Sequence, residues 1–253
     1  MIIKDLKIQN LLNTNIHNLS MKETLSLIEE SINNNQHIHH VVVNAGKIVQ
    51  MQKDNQLRES VNNSDIINAD GQAVVWAAKF LNKPLKERVA GIDLMENLVE
   101  LAYKNHHKIF LFGAKEEVVK KVVSIYSEKY NENLIAGYRN GYYQKDEEVS
   151  IAKEISSSGA NMLFVAITSP KKENFLYEFK NELNKVNFIM GVGGSFDVIA
   201  GLTKRAPILM QNMGLEWFYR FLQEPKRMWK RYLVGNSKFI YLVFKEKFKN
   251  SKP

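Results

Sequence analysis

Three runs of this chain, IFLFG at Ile109–Gly113, MLFVAI at Met162–Ile167 and FIMGVGG at Phe188–Gly194, are apolar from end to end. A strand with one face in water alternates apolar and polar residues. A strand without that alternation is buried on both faces, as happens in a mainly parallel sheet covered by helices. Shorter β-rich runs predict further strands at His40–Asn44, Asp65–Ala69 and Leu134–Gly137. Between the strands lie helix-like stretches: Lys47–Asn63, Gly71–Leu81, Asp93–Lys104, Lys115–Lys129, Asp146–Ser158 and Lys171–Leu183. Val118, Val119, Val122, Val123 and Tyr126 show the three-and-four spacing of a buried helix face. This alternation predicts an α/β fold, a mainly parallel Rossmann-like sheet covered by helices. Ligands of such a sheet sit beyond the carboxyl ends of its strands.

At 253 residues the chain has room for one or two domains and a sizeable core. It has no cysteine, which excludes disulfides, zinc–cysteine sites and a thiol nucleophile. MIIKDLKIQN lacks the basic start and apolar core of a signal peptide, and no apolar run is long enough to span a bilayer. The net charge of +8 is unevenly placed. Residues 215–253 hold ten Lys/Arg against three acids, which leaves 25 basic and 24 acidic residues elsewhere. We therefore expect an α/β body over 1–213 and a basic helical appendage over 214–253. The appendage carries Trp217 and Trp229, and Pro225 separates two short helices. Its mix of aromatic, aliphatic and basic residues suits an anionic membrane surface. A C-terminal helix packed on the core with a solvated basic face reads equally well.

Several turns offer chemistry. Asp70 follows a strand and precedes Gly71 and a helix. A carboxylate there serves as a general base, a ribose ligand or a helix N-cap. Gly191, Gly193 and Gly194, followed by Asp197, form a glycine-rich turn whose amides can approach a phosphate closely. Phe196 stands where a dinucleotide fingerprint needs its third glycine. Gly113 and the Thr168–Glu173 segment, with Lys172, open two more helices at strand ends. Arg88 and Asp93 share a loop with Gly91, where Asp93 reads most simply as an N-cap. His37, His39 and His40 cluster, but alternation sends the last two to opposite faces, and no nearby acid completes a metal set. The chain has no Asp-x-Asp pair. We expect neither metal nor cofactor.

In this order, the segments VVVNAGKIVQM, INADGQAVVWAAK, RVAGIDLM, FLFGAKEEV, GYRNGYY, SPKKENF, GVGGSFDVIAGLTKRAP and GLEWFYRFLQEPKRMWKRYL resemble the WecG/TagA/CpsF family of bacterial glycosyltransferases. The resemblance covers nearly the whole chain and is most like the TagA/TarA branch of wall teichoic acid assembly. It implies metal-independent, inverting transfer of N-acetylmannosamine from UDP-N-acetylmannosamine. The acceptor is N-acetylglucosamine on undecaprenyl diphosphate, the new link is β-1,4, and the enzyme works from the cytoplasm on the inner membrane face. The resemblance makes Asp70 the catalytic base and places Asn44 and Arg88 in the site. It puts Arg220, Arg227, Lys230 and Arg231 on an appendage that closes over the pocket. Two positions depart from the common pattern: Val42 stands where many relatives have threonine, and Lys172 where many have glutamine. A lysine there donates only, whereas an amide also accepts.

Other readings are the same chemistry with another UDP-sugar donor (mannosaminuronic acid or glucose), a nucleotide-binding oxidoreductase, and a non-enzymatic adaptor using the basic tail. No RNA-module signature occurs, so nucleic acid is not an expected partner. The sequence leaves the oligomeric state open, a homo-oligomer included.

Overall fold

The apolar runs do pair into one sheet. In the computed structural model, which describes residues 6–249 apart from the side chains of Arg227, Lys230 and Arg231, six parallel strands lie side by side. They are β3 (Ile38–Val43), β4 (Ile66–Ala69), β5 (Ile109–Gly113), β6 (Ile135–Arg139), β7 (Met162–Ala166) and β8 (Phe188–Gly191), in the order β4-β3-β8-β7-β5-β6. Every residue of β4, β5, β7 and β8 is buried, as continuous apolar runs require.

One face of the sheet packs against α1 (Met21–Asn33), α5 (Gly91–Lys104), α6 (Glu116–Lys129) and α9 (Ser195–Ile199). The other face is covered in two parts. α2 (Ala45–Met51), α3 (Asn55–Asn62) and α4 (Gln72–Phe80) lie over β3 and β4. α7 (Glu148–Ser157) and α8 (Lys171–Glu178) cover β5 and β7.

Four local features differ from the sequence reading. The helix expected over Lys171–Leu183 closes at Glu178, and a separate 3-10 turn follows at Glu182–Lys185. The stretch expected as one helix over Lys47–Asn63 is two, because the Asp54 side chain accepts from Leu57 N and starts α3 afresh. Sequence reasoning did not single out the antiparallel hairpin of β1 (Ile8–Leu11) and β2 (Thr14–His17), or helix α1. The hairpin blunts the β4 edge: His17 Nδ1 accepts from Ile67 N at 3.0 Å, which satisfies a donor that an open edge would expose. α1 begins with a capping box between Ser20 and Glu23.

Past β8 the chain forms α10 (Ile208–Asn212), α11 (Glu216–Gln223), α12 (Pro225–Trp229), a π-helical turn at Lys230–Val234, and α13 (Gly235–Lys249). α11 stops before Pro225 and α12 starts on it, since proline lacks the N–H that a helix interior needs. α13 packs on α2, with Phe239 and Val243 buried in the core beside β3 and β4. Glu246 accepts from Leu12 N and pairs with Lys83 at 2.9 Å. Among the described residues no helix is long and apolar enough to cross a membrane.

Candidate active site

Parallel strands deliver their following turns to one edge, so Asn44, Asp70, Thr168 and Val192 emerge together. Asp70 N donates to Val43 O, which seats the residue against the end of β3. Its carboxylate does not cap its own helix: Gly71 is the N-cap of α4, without a side-chain bond. Instead Asp70 Oδ1 accepts from Gly91 N, the first residue of α5, at 3.1 Å. The Arg88 loop brings that amide in, because Val89 N donates to Ala69 O at 2.9 Å. Burial pushes the Asp70 carboxyl up to about 6, against the opposing pull of the Gly91 N–H and Arg88. A carboxylate poised there suits proton abstraction near neutral pH.

Asn44 caps α2, its Oδ1 accepting from Lys47 N at 3.0 Å. It lines the same corner as Asp70, since a Cβ on Gly71 would lie 3.4 Å from the Asn44 Cβ. Beneath this corner is a buried charge cluster. Glu173 Oε1 stands 2.9 Å from Lys47 Nζ and 2.7 Å from Lys172 Nζ, with all three side chains nearly inaccessible. Burial alone would raise the Glu173 carboxyl, but the two ammonium groups overcome it and hold the group ionised below the usual carboxylate range. Two cations on one anion leave this floor electropositive. The Lys172 stem runs under β8 so closely that a Cβ on Gly191 would meet its Cε at 2.8 Å.

At the glycine turn, Gly193 has φ +55 and Gly194 leads into α9. A Cβ on Gly194 would sit 2.8 Å from Arg220 Nη2 and 3.8 Å from Asp197 Oδ2. Arg220 of α11 therefore reaches back over the turn, and its Nε is buried without a hydrogen-bond partner. Gly113 stands apart on β5, two strands from β8. With φ +127, a Cβ there would meet the Ala166 backbone at 2.5 Å, so close strand packing accounts for that glycine. Arg227, Lys230 and Arg231 were also expected near the pocket; their side chains lie outside the described residues.

Asp93 is not the N-cap expected of it. Ala90 holds that place, and Asp93 lies in the first turn of α5, bound by Arg205 at 2.5 and 2.7 Å. Arg88 Nη1 in turn donates to Glu216 Oε2 at 3.1 Å. Sequence reasoning passed over Lys47, Glu173, Arg205 and Glu216 as site residues. Each lies inside a segment quoted above, but none has a spacing that signals its partner. His40 is fully buried, its Nε2 is 2.8 Å from Asn68 Oδ1, and burial pushes the ring down to about 4. Among the described residues no three His, Asp or Glu side chains gather as a metal set.

The model of the glycosyl transferase WecG/TagA/CpsF family matches residues 9–253. The chain belongs to this family. Members similar to it include the N-acetylglucosaminyldiphosphoundecaprenol N-acetyl-beta-D-mannosaminyltransferase of Bacillus subtilis (strain 168), 40% identical over 200 residues, 79% of this chain and 76% of that protein. Proteins of the same name in Bacillus spizizenii (strain ATCC 23059 / NRRL B-14472 / W23) and Staphylococcus aureus (strain MW2) are each 35% identical. They cover 76% and 77% of this chain, and 73% and 74% of their own. WecG/TagA/CpsF membership sets aside the oxidoreductase and adaptor readings. It fits a sheet edge that gathers one raised carboxyl and several cations.

Proposed function

We propose that the protein transfers N-acetylmannosamine from UDP-N-acetylmannosamine to N-acetylglucosamine on undecaprenyl diphosphate, with inversion, as an early step of teichoic acid linkage-unit assembly. The observation that carries this reading is Asp70, a desolvated carboxylate at the carboxyl edge of β4 with Arg88 beside it. The 35–40% identical relatives named for this transfer supply the sugar and the acceptor.

Asp70 takes the proton from the acceptor hydroxyl as that oxygen attacks the anomeric carbon of the donor. The bond from that carbon to the UDP oxygen breaks, and UDP leaves with the electron pair. Its charge is met by the Gly191–Gly194 turn, Arg220 and the electropositive floor under Lys172. Asn44 orients a sugar or uracil polar group at the same corner. With no Asp-x-Asp pair in the chain, these cations stand in for a metal. Transfer is then expected to persist after chelation and dialysis.

A polyprenyl acceptor cannot leave the bilayer, so the enzyme docks on the cytoplasmic membrane surface through residues 214–253. The exposed side chains of Trp217, Leu222, Trp229 and Leu233 and the excess of basic residues support this role. Binding to anionic vesicles should weaken as salt rises, because exposed charges are screened over roughly 8 Å at physiological ionic strength.

The deciding assay measures UDP release from a panel of UDP-sugars with a lipid-diphosphate-N-acetylglucosamine acceptor. Turnover with UDP-N-acetylmannosamine above the other donors is expected. Preference for a mannosaminuronic acid or glucose donor would move the assignment within the family, with Val42 and Lys172 as the positions to exchange first.

A further inference from the structure

The appendage is basic, yet acids fasten it to the body. Of its three acids, Glu246 binds Lys83 and Leu12 N, and Glu216 reaches the Arg88 loop beside Asp70. Glu216 opens α11. Its Oε2 accepts from Arg88 at 3.1 Å, and its Oε1 lies 3.9 Å from Arg205 Nε. Arg205 is itself held by both oxygens of Asp93 in the first turn of α5, while its Nε is buried without a hydrogen-bond partner. The same α5 N-terminus donates Gly91 N to Asp70. A chain of contacts thus runs from the candidate base through α5 and Arg205 to Glu216, then back to Arg88.

Glu216 and Arg220 are four residues apart on α11 and so share one helix face. That face meets the body twice, with Glu216 between the two arginines and Arg220 above Gly194. Without the carboxylate, α11 would present Arg220 to a rim that carries Arg88 and Arg205, and like charges would push it away.

We infer that Glu216 is a positioning residue: its carboxylate clasps α11 to Arg88 and Arg205 and so holds Arg220 over the Gly193–Gly194 turn, where a nucleoside diphosphate is to bind. This rests on the functional reading above. It adds that the pocket is completed by an acid of the appendage, and that Glu216 does not compete with the donor for Arg88.

The test uses the full chain and Glu216→Gln, which keeps the shape and an acceptor oxygen but loses the charge. Backbone amides of 216–223 should exchange faster with deuterium, while those of β3, β5 and β7 stay unchanged. The donor KM should rise by about tenfold, the scale of one coupled charge contact, with kcat changed less. In an Arg220→Ala background the same substitution should add no further rise in KM, because Glu216 acts through Arg220. Arg205→Gln attacks the clasp from the body side and should give the same two changes, whichever variant folds better. A fall in donor KM in Glu216→Gln would make the carboxylate a competitor and overturn the inference. So would independent, multiplicative effects of Glu216 and Arg220, or unchanged exchange in α11. Absence of sugar transfer by the unaltered chain would sink the functional reading alone, since the exchange measurement still decides whether the clasp exists.

Discussion

The sheet edge and the C-terminal appendage solve opposite problems with similar residues. At the edge, cations and anions meet within the protein: Lys47 and Lys172 share the buried Glu173, and the partly exposed Asp93 and Arg205 pair with each other. In the appendage, apolar side chains stay in water, with Phe248 67%, Leu233 62% and Leu222 59% exposed. Among the described appendage residues only a few, Met228, Phe239 and Val243 included, are buried. The edge needs a small polar ligand to use its surplus charge. The appendage leaves apolar side chains exposed among basic residues, the surface that the proposed membrane docking would cover. In the function proposed above, chemistry belongs to the edge and attachment to the appendage, with Glu216 and Arg220 joining the two.

The largest test of that division is Asp70→Asn. It keeps size and hydrogen bonding but removes basicity, and transfer should fall by a factor of about 100 or more while UDP binding survives. Near-normal turnover in a folded variant would sink the base assignment. In the unaltered protein kcat/KM should rise with pH and level off above an apparent pKa near 6, because only ionised Asp70 accepts the proton.

Next comes the anchoring of the appendage. Phe239 is 3% exposed against the core by α2 and β3, so Phe239→Ala should cost about 3 kcal/mol in denaturant unfolding. A loss below about 1 kcal/mol would mean that α13 contributes little to the body and that the two regions are nearly separate.

Asp70→Asn should also stabilise the fold at pH 8, by ~1–3 kcal/mol, the worth of a carboxyl raised from 3.8 to about 6. Below pH 3.8 the carboxyl is protonated whether the chain is folded or not, and the substitution should be neutral. Between 3.8 and 6 the unfolded chain releases its proton first, so the native aspartate becomes increasingly costly; above 6 the cost is constant. Thermal melts of both proteins at pH 4 and pH 8 measure the difference. An equal shift at the two pH values would show that desolvation of Asp70 is not its source.

The smallest expected effect lies on the free side of α13. Phe248→Ala should change stability by less than about 0.5 kcal/mol, since that ring is solvated, while anionic vesicle binding weakens. A stability loss matching that of Phe239→Ala would show that both faces of the helix are covered in solution, which would remove the contrast.

β5, β7 and β8 were legible in the sequence because burial on both faces leaves a local mark, a run without polar residues; the other three strands carry a weaker mark, with His39 and His40 in β3, Asn68 in β4 and Arg139 in the partly exposed β6. Asp70, Asn44 and the glycine turn were legible for a related reason, since each sits where a strand ends, and strand ends are read locally. The roles of those residues came from the family motifs; the strands alone left Asp70 open as base, ligand or cap. Only the tertiary structure decided that Asp70 takes its hydrogen bond from Gly91 rather than from its own helix, and that Asp93 binds Arg205 instead of capping α5. Only it decided that Glu216 meets Arg88, 128 residues away. The physical reason is that a charge carries no sequence signature of its partner. Hydrophobic periodicity repeats along the chain every two or every three to four residues, so it can be read from the sequence. An ion pair depends on which strand ends the sheet order brings together, and that order is set by the packing of the whole chain.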